Sequence, residues 1–373
     1  MRLYPLIALA ALSCSPTARS DGPDAANAAN AAAAMTARDA VGSPAPAAAT
    51  ESAVAPQLGA LKTFGDWTIG CDNGRACQAN ALVPETADRD GYLLLLIERG
   101  SAPDAPARLI VPIGKSSRAQ PMLTIDGKPF ATLSSTGDAA TLMLDRARAA
   151  TLANGKTVAL TTPIGPPIAT ASLAGLAASL LYMDAQQQRV GTTSALRKPG
   201  TSTAPAPPPL PVIVTPPFST AKPKALSVAA ATKLIGSDNA FCDYAIGPVE
   251  PEAHRLDATH SLALIVHPCG NGAYNLFSSA FVVDESGRAT PARFDAPPGI
   301  EGEDHGDVIN ADWDASARRL TTYGKGRGIG DCGTTQAFAW DGARFRLVEQ
   351  AAMGECRGST DYIPVWRART ETR

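Results

Sequence analysis

Nine prolines stand between Lys198 and Lys224, and this segment decides how much of the chain can form a continuous core. Proline fixes φ and has no backbone N–H, so such a run favours extended polyproline geometry over a helix or a central strand. A second segment, residues 14–57, is dominated by Ala, Pro, Asp, Ser and Thr and has no aromatic residue. Because it cannot bury enough apolar surface, we expect it to be a disordered tether.

These segments leave two stretches that can fold, residues 58–198 and residues 225–370, with a linker over residues 199–224 between them. A chain of 373 residues has room for two domains of ordinary size. The sequence therefore predicts two small domains joined by a semi-rigid proline-rich spacer.

The first stretch has the pattern of a mainly β domain. Residues 64–71 alternate well enough to form a strand, and Asp72-Asn73-Gly74 supplies a turn. A helix is expected to begin at Ser172, a potential N-cap, because leucine and alanine recur after it at helical spacing. Further strands are expected at Tyr92–Glu98, Arg108–Ile113, Met122–Ile125, Thr141–Leu144 and Thr157–Thr161.

The second stretch begins with a short predicted helix, capped by Ser227 and closed by Gly236. Turn sequences at residues 284–287, 314–317 and 341–342 then separate apolar or aromatic runs, which is typical of hairpins. The expected fold class for the whole chain is mainly β with some α, built from antiparallel sheets or sandwiches.

The N-terminus has the features of an export signal: Arg2, an apolar run over residues 3–12, and small residues after it. The run is too short for a permanent membrane helix. Two processing routes fit this pattern. Either residues 1–13 are a signal peptide and Cys14, at the end of a lipoprotein box, becomes the lipid-modified first residue, or signal peptidase cuts after Ser20 and releases a soluble protein.

Six cysteines follow the signal, and export to an oxidising compartment favours disulfides over zinc binding for cysteines so widely spread. Pairing within each predicted domain joins the first two and leaves three possible pairings for the other four. Chain proximity favours one of these three. The pairs favoured are Cys71–Cys77, Cys242–Cys269 and Cys332–Cys356.

Four motifs are shared with a known bacterial family. They are FGDWTIGCDNGRACQA at residues 64–79, YGKGRGIGDCG at residues 323–333, WDG at residues 340–342 and CRG at residues 356–358. In these motifs the chain resembles the family catalogued as domain of unknown function 1176, over nearly all of its foldable length. The family name implies no activity and supplies no catalytic residue.

The first stretch is also similar to the invasion-associated locus B family of small secreted β-rich proteins. The similarity lies in the Gly65-Asp66-Trp67 start and in the strand, DG turn and amphipathic helix that follow. That family usually carries another cysteine pair in the middle of the domain, which this chain lacks. The resemblance implies a β-rich fold for residues 58–198.

An acidic cluster follows residues 297–299 in a predicted loop. Glu301, Glu303, Asp304 and Asp307 offer carboxylate oxygens of the kind that calcium prefers. The spacing matches neither an EF-hand loop nor a catalytic zinc motif. A solvated acidic loop is the competing interpretation, and no cofactor is otherwise expected.

The glycine-rich segment over residues 324–333 is the second candidate site. Alternating glycines allow backbone N–H groups to approach an anion, and Lys325 and Arg327 would add positive charge. Arg357 would join them across the Cys332–Cys356 disulfide. The segment matches no nucleotide-binding motif, so the alternative is a structural loop.

Histidine and tryptophan positions indicate structural roles. No two histidines share a helical face, and each tryptophan lies at or beside a strand, where it is typical of a small β core. A carbohydrate platform would require two rings exposed on one face. The residues concerned are His254, His260, His267, His305, Trp67, Trp313, Trp340 and Trp366.

The expected function follows from this combination of features. A formal net charge of −2 argues against a nucleic-acid partner. Since no catalytic motif is present, we expect a non-enzymatic exported protein, periplasmic or lipid-anchored through Cys14, that binds an envelope protein or cell-wall component. The alternative is a metal-dependent hydrolase or an anion- or glycan-binding protein acting on envelope components.

Overall fold

A computed structural model describes most of the chain after residue 54. The described residues are 55–87, 91–113, 121–134, 137–162, 166–236, 250–268, 271–299 and 307–373. Strands predominate among them, and three helices are present in these ranges. The predicted class, mainly β with some α, is confirmed.

Ten short strands form two antiparallel sheets in the first stretch. They are β1 (Lys62–Phe64), β2 (Trp67–Cys71), β3 (Cys77–Ala81), β4 (Leu96–Arg99), β5 (Ala107–Pro112), β6 (Met122–Ile125), β7 (Lys128–Thr132), β8 (Ala139–Leu144), β9 (Thr157–Thr161) and β10 (Ala169–Ser172). One sheet has the order β1-β2-β3-β4-β5-β8 and the other β10-β9-β6-β7. Their shared core contains Trp67, Ile97 and Leu123, all fully buried.

Three helices accompany the sheets: α1 (Arg146–Asn154), α2 (Leu176–Gln186) and α3 (Val228–Ile235). The prediction for α3 is confirmed, since Ser227 caps its N-terminus and Gly236 follows its end. The prediction that Ser172 caps α2 is wrong, because Gly175 occupies that position. Gly175 has φ +95°, and a Cβ there would lie 1.7 Å from the Phe64 carbonyl oxygen. A close backbone approach from β1 thus sets the start of α2.

The proline-rich segment and the second stretch together add twelve strands. They are β11 (Val212–Thr215), β12 (Glu252–Arg255), β13 (His260–Val266), β14 (Phe277–Asp284), β15 (Ala289–Pro291), β16 (Asp307–Ile309), β17 (Asp312–Asp314), β18 (Arg319–Lys325), β19 (Gly333–Trp340), β20 (Phe345–Met353), β21 (Ile363–Arg367) and β22 (Arg369–Thr372). One sheet has the order β12-β13-β14-β15, with β16 also paired to β14, and another has the order β17-β18-β19-β20-β21.

These two sheets share one core, as in a β-sandwich. Leu262 and Val282 of the first sheet pack with Leu320, Phe338 and Phe345 of the second. The other face of the first sheet packs on α3, through Ala231, Ala263 and Ile265. Because both faces of this sheet are covered, successive residues of β13 are buried, and the strand does not alternate between apolar and polar residues.

Aspartates close the predicted hairpin turns of the second stretch. The Asp284 carboxylate accepts from Ser286 Oγ and the Arg288 N–H between β14 and β15. Asp314 and Asp341 make equivalent bonds in the turns after β17 and β19. Such side-chain bonds to a following N–H stabilise a tight turn, so all three predicted hairpins are present.

Part of the proline-rich segment forms a strand. Residues 212–215 contain no proline, and they form β11, which pairs in parallel with β22. Ile213 is buried with Ala339, Val348 and Ala368. This part of the predicted spacer therefore packs on the β17–β21 sheet.

The two stretches also contact each other directly. The Gly59 N–H donates to the Val365 carbonyl at 2.8 Å, and Asn80 Nδ2 lies 3.1 Å from Ser359 Oγ. All described residues belong to one compact unit, Ala53–Arg373. The boundaries of residues 58–198 and 225–370 as separate domains remain a prediction.

Within the described ranges, no helix has both the length and the apolar character needed to span a membrane.

Candidate functional site

The glycine-rich segment forms the connection between β18 and β19. Lys325 pairs with Gly333 at its base, and the Gly326 N–H donates to the Cys332 carbonyl at 2.8 Å. A Cβ on Gly326 would lie 2.8 Å from Cys332 Sγ, and one on Gly333 would lie 2.1 Å from the Gly324 carbonyl oxygen. Both glycines are therefore required for the close approach of the two strands and the disulfide.

The cationic side chains of the predicted anion site already have partners. Arg327 forms a bidentate ion pair with the buried Asp331, and it also donates to the Cys356 carbonyl. Arg357 donates to the Val83 carbonyl at 2.8 Å and pairs with Asp66. An anion at this position would have to displace a carboxylate from an arginine, at the cost of the hydrogen bonds that hold the corner together.

Lys325 is arranged differently from the two arginines. Its ammonium nitrogen lies 5.2 Å from the centroid of the Tyr323 ring, within the range of a cation–π interaction. Arg327 thus contacts the Cys356 carbonyl, the Arg357 side chain turns to Asp66, and Lys325 lies beside an aromatic ring. The anion site itself remains a prediction.

The predicted metal site lies largely outside the described residues, which do not include Glu301, Glu303 or Asp304. Asp307 is described at the start of β16, where it accepts from Ser279 Oγ at 2.8 Å and lies 3.3 Å from His267 Nε2. Among the described residues, no group of three or more potential metal ligands is found.

Two of the predicted disulfides are present. Cys71 is joined to Cys77 and Cys332 to Cys356. The first closes the β2–β3 hairpin, and the second ties the start of β19 to the segment after β20. The remaining cysteines of the prediction, Cys242, Cys269 and Cys14, lie outside the described residues.

A groove with a volume of about 410 Å³ lies next to the glycine-rich connection, along strands β18 to β21. Strand register explains its composition, because alternate residues of a strand point to the same face. Thr321, Ala337 and Glu349 form one cross-strand row and Tyr323, Thr335 and Ala351 the next. The groove is lined by these six with Asn310, Thr322, Gln336, Gln350, Pro364, Trp366 and Arg367.

Two aromatic rings line this groove, which we call the sheet groove. Trp366 Nε1 donates to the Leu347 carbonyl at 3.0 Å, and the Tyr323 hydroxyl donates to the Gly330 carbonyl at 3.1 Å. The polar atoms of both rings are therefore used within the protein. What the rings contribute to the groove is apolar surface.

The polar groups of the sheet groove are held in place by neighbouring residues. Glu349 pairs with Arg319 at 2.7 Å, and Gln350 Oε1 accepts from the buried Gln336 at 3.0 Å. Burial raises the pKa of Tyr362, and its hydrogen bond with Tyr323 acts in the same direction. Tyr362 is therefore uncharged at neutral pH.

The sequence prediction missed most of the sheet groove. A signal was available in the alternation of β18, where Leu320 and Thr322 are buried and Thr321 and Tyr323 are partly exposed. Which residues of β20 and β21 would join them depends on register shifts at Gln350 and Ala351, which no local pattern shows.

The comparisons with known proteins agree with the resemblance noted in the sequence. The family model described as "Protein of unknown function (DUF1176)" matches residues 61–373. The uncharacterized protein YpfG of Escherichia coli (strain K12) is 31% identical over 340 residues, covering 83% of this chain and 93% of the relative.

Among solved structures, the crystal structure of invasion associated protein B from Bartonella henselae is similar to part of the chain. It is 21% identical, has a TM-score of 0.27, and the match covers 35% of this chain and 99% of that chain.

Proposed function

Since the chain belongs to the DUF1176 family, whose description names no activity, we propose a function from its own residues: an exported, non-enzymatic binding protein of the bacterial envelope. Its ligand is a glycan-containing component of the envelope, and the sheet groove is the binding site. The observation that carries this proposal is that two aromatic rings line one groove together with fixed hydroxyl, amide and carboxylate groups.

Export is supported by two independent features. The apolar N-terminal run with Arg2 before it has the form of a signal peptide. The disulfides Cys71–Cys77 and Cys332–Cys356 are of a kind that persists in the periplasm and is rare in the cytosol. The proposed location is the periplasm, with a lipid on Cys14 as the anchor.

A glycan fits the sheet groove better than a charged ligand does. Sugar rings present apolar C–H faces together with many hydroxyl groups, which the aromatic rings and the Thr321, Thr335 and Gln350 side chains can meet. The groove's formal charges are one carboxylate, Glu349, and one guanidinium, Arg367, and both have partners of opposite charge. A neutral polar ligand therefore leaves these ion pairs intact.

The alternative is a metal-dependent hydrolase acting on envelope components. It would use the acidic loop, in which Glu301, Glu303 and Asp304 would have to converge with Asp307 on one metal ion. Asp307 already contacts Ser279 and His267 in the described part of the chain. Turnover of an envelope substrate that is lost in Asp304→Ala would favour this alternative over binding alone.

The experiment is calorimetric titration of the processed, oxidised protein with soluble cell-wall muropeptides. Thr335→Val removes one hydroxyl from the groove at nearly constant volume, and we expect a loss of about 1 kcal/mol, roughly fivefold in affinity. Thr334→Val is the matched control, because Thr334 is the next residue of β19 and does not line the groove. Equal affinities for the two variants, or no binding by the wild type, would contradict the proposed site.

A further inference from the structure

A second cavity, with a volume of about 520 Å³, lies beside the hairpins that follow β14 and β19. It contains none of the residues of the sheet groove. Its side chains include two arginines, one aspartate and a histidine, none of which belongs to a site predicted from the sequence. They are His260, Val282, Asp284, Arg288, Thr290, Pro291, Arg293, Trp340, Gly342 and Ala343.

His260 is held in one orientation by the buried carboxylate of Asp257. Its Nδ1 lies 2.9 Å from Asp257 Oδ2, and Trp340 Nε1 donates to the same oxygen at 2.7 Å. The imidazole also packs on the Trp340 ring, with centroids 5.5 Å apart. An ionised carboxylate can only accept, so Nδ1 carries the proton and Nε2 is the atom free for another partner.

Among the described residues, no hydrogen bond is found for His260 Nε2, and the side chain is 32% exposed. Histidines that ligate a metal through one ring nitrogen usually donate from the other to a carboxylate or carbonyl, as His260 does to Asp257. The same contacts also stabilise the fold, so orientation of the ring is necessary but not sufficient for a site. The surrounding charge supplies the second argument.

Positive charge exceeds negative charge around the cavity. Arg288 and Arg293 contribute two positive charges and Asp284 one negative charge, which leaves a net charge of +1 before His260 is counted. Asp284 is engaged by Ser286 and by the Arg288 backbone, and its distance to Arg288 Nε is a loose 3.8 Å. Within the described ranges, Arg293 has no ion-pair partner.

We propose that this cavity binds an oxyanion, a phosphoryl or carboxylate group, between Arg288, Arg293 and His260 Nε2. Arginine presents several N–H donors in a plane, which suits the paired oxygens of either group. His260 Nε2 supplies the third hydrogen-bonding atom, and it donates to the oxyanion when the imidazole carries a proton on both nitrogens, because a ring protonated only on Nδ1 can merely accept there. This goes beyond glycan binding in the sheet groove and does not depend on it.

The test is calorimetric titration of the processed, oxidised protein with inorganic phosphate and, separately, with acetate, all at one ionic strength so that general screening is constant. We expect millimolar or tighter binding of at least one anion, and an affinity at least fivefold lower in Arg293→Gln and in His260→Gln. Phosphate binding alone identifies a phosphoryl source, and acetate binding alone a carboxylate source.

Arg148→Gln is the matched control, because Arg148 is an exposed arginine on α1, in the other stretch of the chain. We expect it to bind as the wild type does. Should neither anion bind, or should Arg293→Gln bind as tightly as Arg148→Gln, the proposal is overturned. Arg293 is exposed and outside the core, so its variant is informative even if His260→Gln fails to fold.

Discussion

Asp257 shows how one residue ties distant parts of the sandwich together. It follows β12, yet its carboxylate accepts from Trp340 at the end of β19 and from the N–H groups of Thr259 and His260. Burial alone would raise the pKa of Asp257, but these hydrogen bonds outweigh burial and lower the pKa below its ordinary value. The carboxylate is therefore ionised in the folded protein at neutral pH.

We predict that Asp257→Asn lowers the free energy of unfolding by about 2 kcal/mol, because an amide cannot accept the same set of bonds and leaves buried donors unsatisfied. A lowered folded-state pKa stabilises the protein above the unfolded pKa of about 3.9, and that stabilisation is lost as pH falls through the folded value. Urea unfolding at pH 7 and below pH 4 measures both effects.

Asp312→Asn is the control, since Asp312 is exposed and its side chain makes no hydrogen bond among the described residues. It should unfold like the wild type at both pH values. Equal stability of the two variants at pH 7 would show that the Asp257 bonds contribute little.

At the scale of elements, β11 shows that part of the proline-rich segment is a paired strand and not a free linker. Prolines on both sides restrict where a strand can form, and Pro211 and Pro216 bound the four residues of β11. Parallel pairing with β22 buries Ile213, while Val212 and Val214 are exposed. The segment is thus attached to the folded chain, both through β11 and at its end, where the Lys222 carbonyl accepts from Arg255.

We predict that Ile213→Ala lowers the free energy of unfolding by about 2–4 kcal/mol, because it leaves a cavity against Ala339, Val348 and Ala368. Val212→Ala, one residue earlier and 37% exposed, should change stability by no more than about 0.5 kcal/mol. Chemical denaturation of both variants gives the comparison. If Ile213→Ala is as neutral as Val212→Ala, the segment behaves as a free linker.

At the scale of the whole molecule, Arg357 of the CRG motif and Arg367 of β21 connect the two stretches. Arg357 bonds to Asp66 and the Val83 carbonyl, and Arg367 bonds to the buried Asp72. An arginine whose N–H groups already pair with a carboxylate or a carbonyl is not available to a ligand. Arg357 and Arg367 are prominent in the sequence, but for this reason they do not mark a binding surface.

The cell compartment is also a property of the whole chain, and it can be tested through Cys14. We predict that the expressed protein fractionates with membranes, incorporates labelled palmitate, and moves to the soluble periplasmic fraction in Cys14→Ser. A variant with Ser15→Ala should behave as the wild type does. Soluble periplasmic protein without label in the wild type would indicate the signal-peptidase route instead, and cytosolic protein would contradict export.

Local chemistry by itself determined much of this protein. The three hairpin turns of the second stretch, the caps of α3 and the bounds of β9 were readable from the sequence, because each depends on residues only a few positions apart. The Cys71–Cys77 pair followed from pairing within the first stretch, and the Cys332–Cys356 pair from chain proximity.

Tertiary structure alone decided the rest. The start of α2 depends on the backbone of Phe64, the partner of β11 lies more than 150 residues away, and the tyrosine and tryptophan of the sheet groove come from different strands. The orientation of His260 likewise depends on Trp340, 80 positions along the chain. These features arise where distant segments pack together, and a pattern read over neighbouring residues carries no information about which distant group will be the partner.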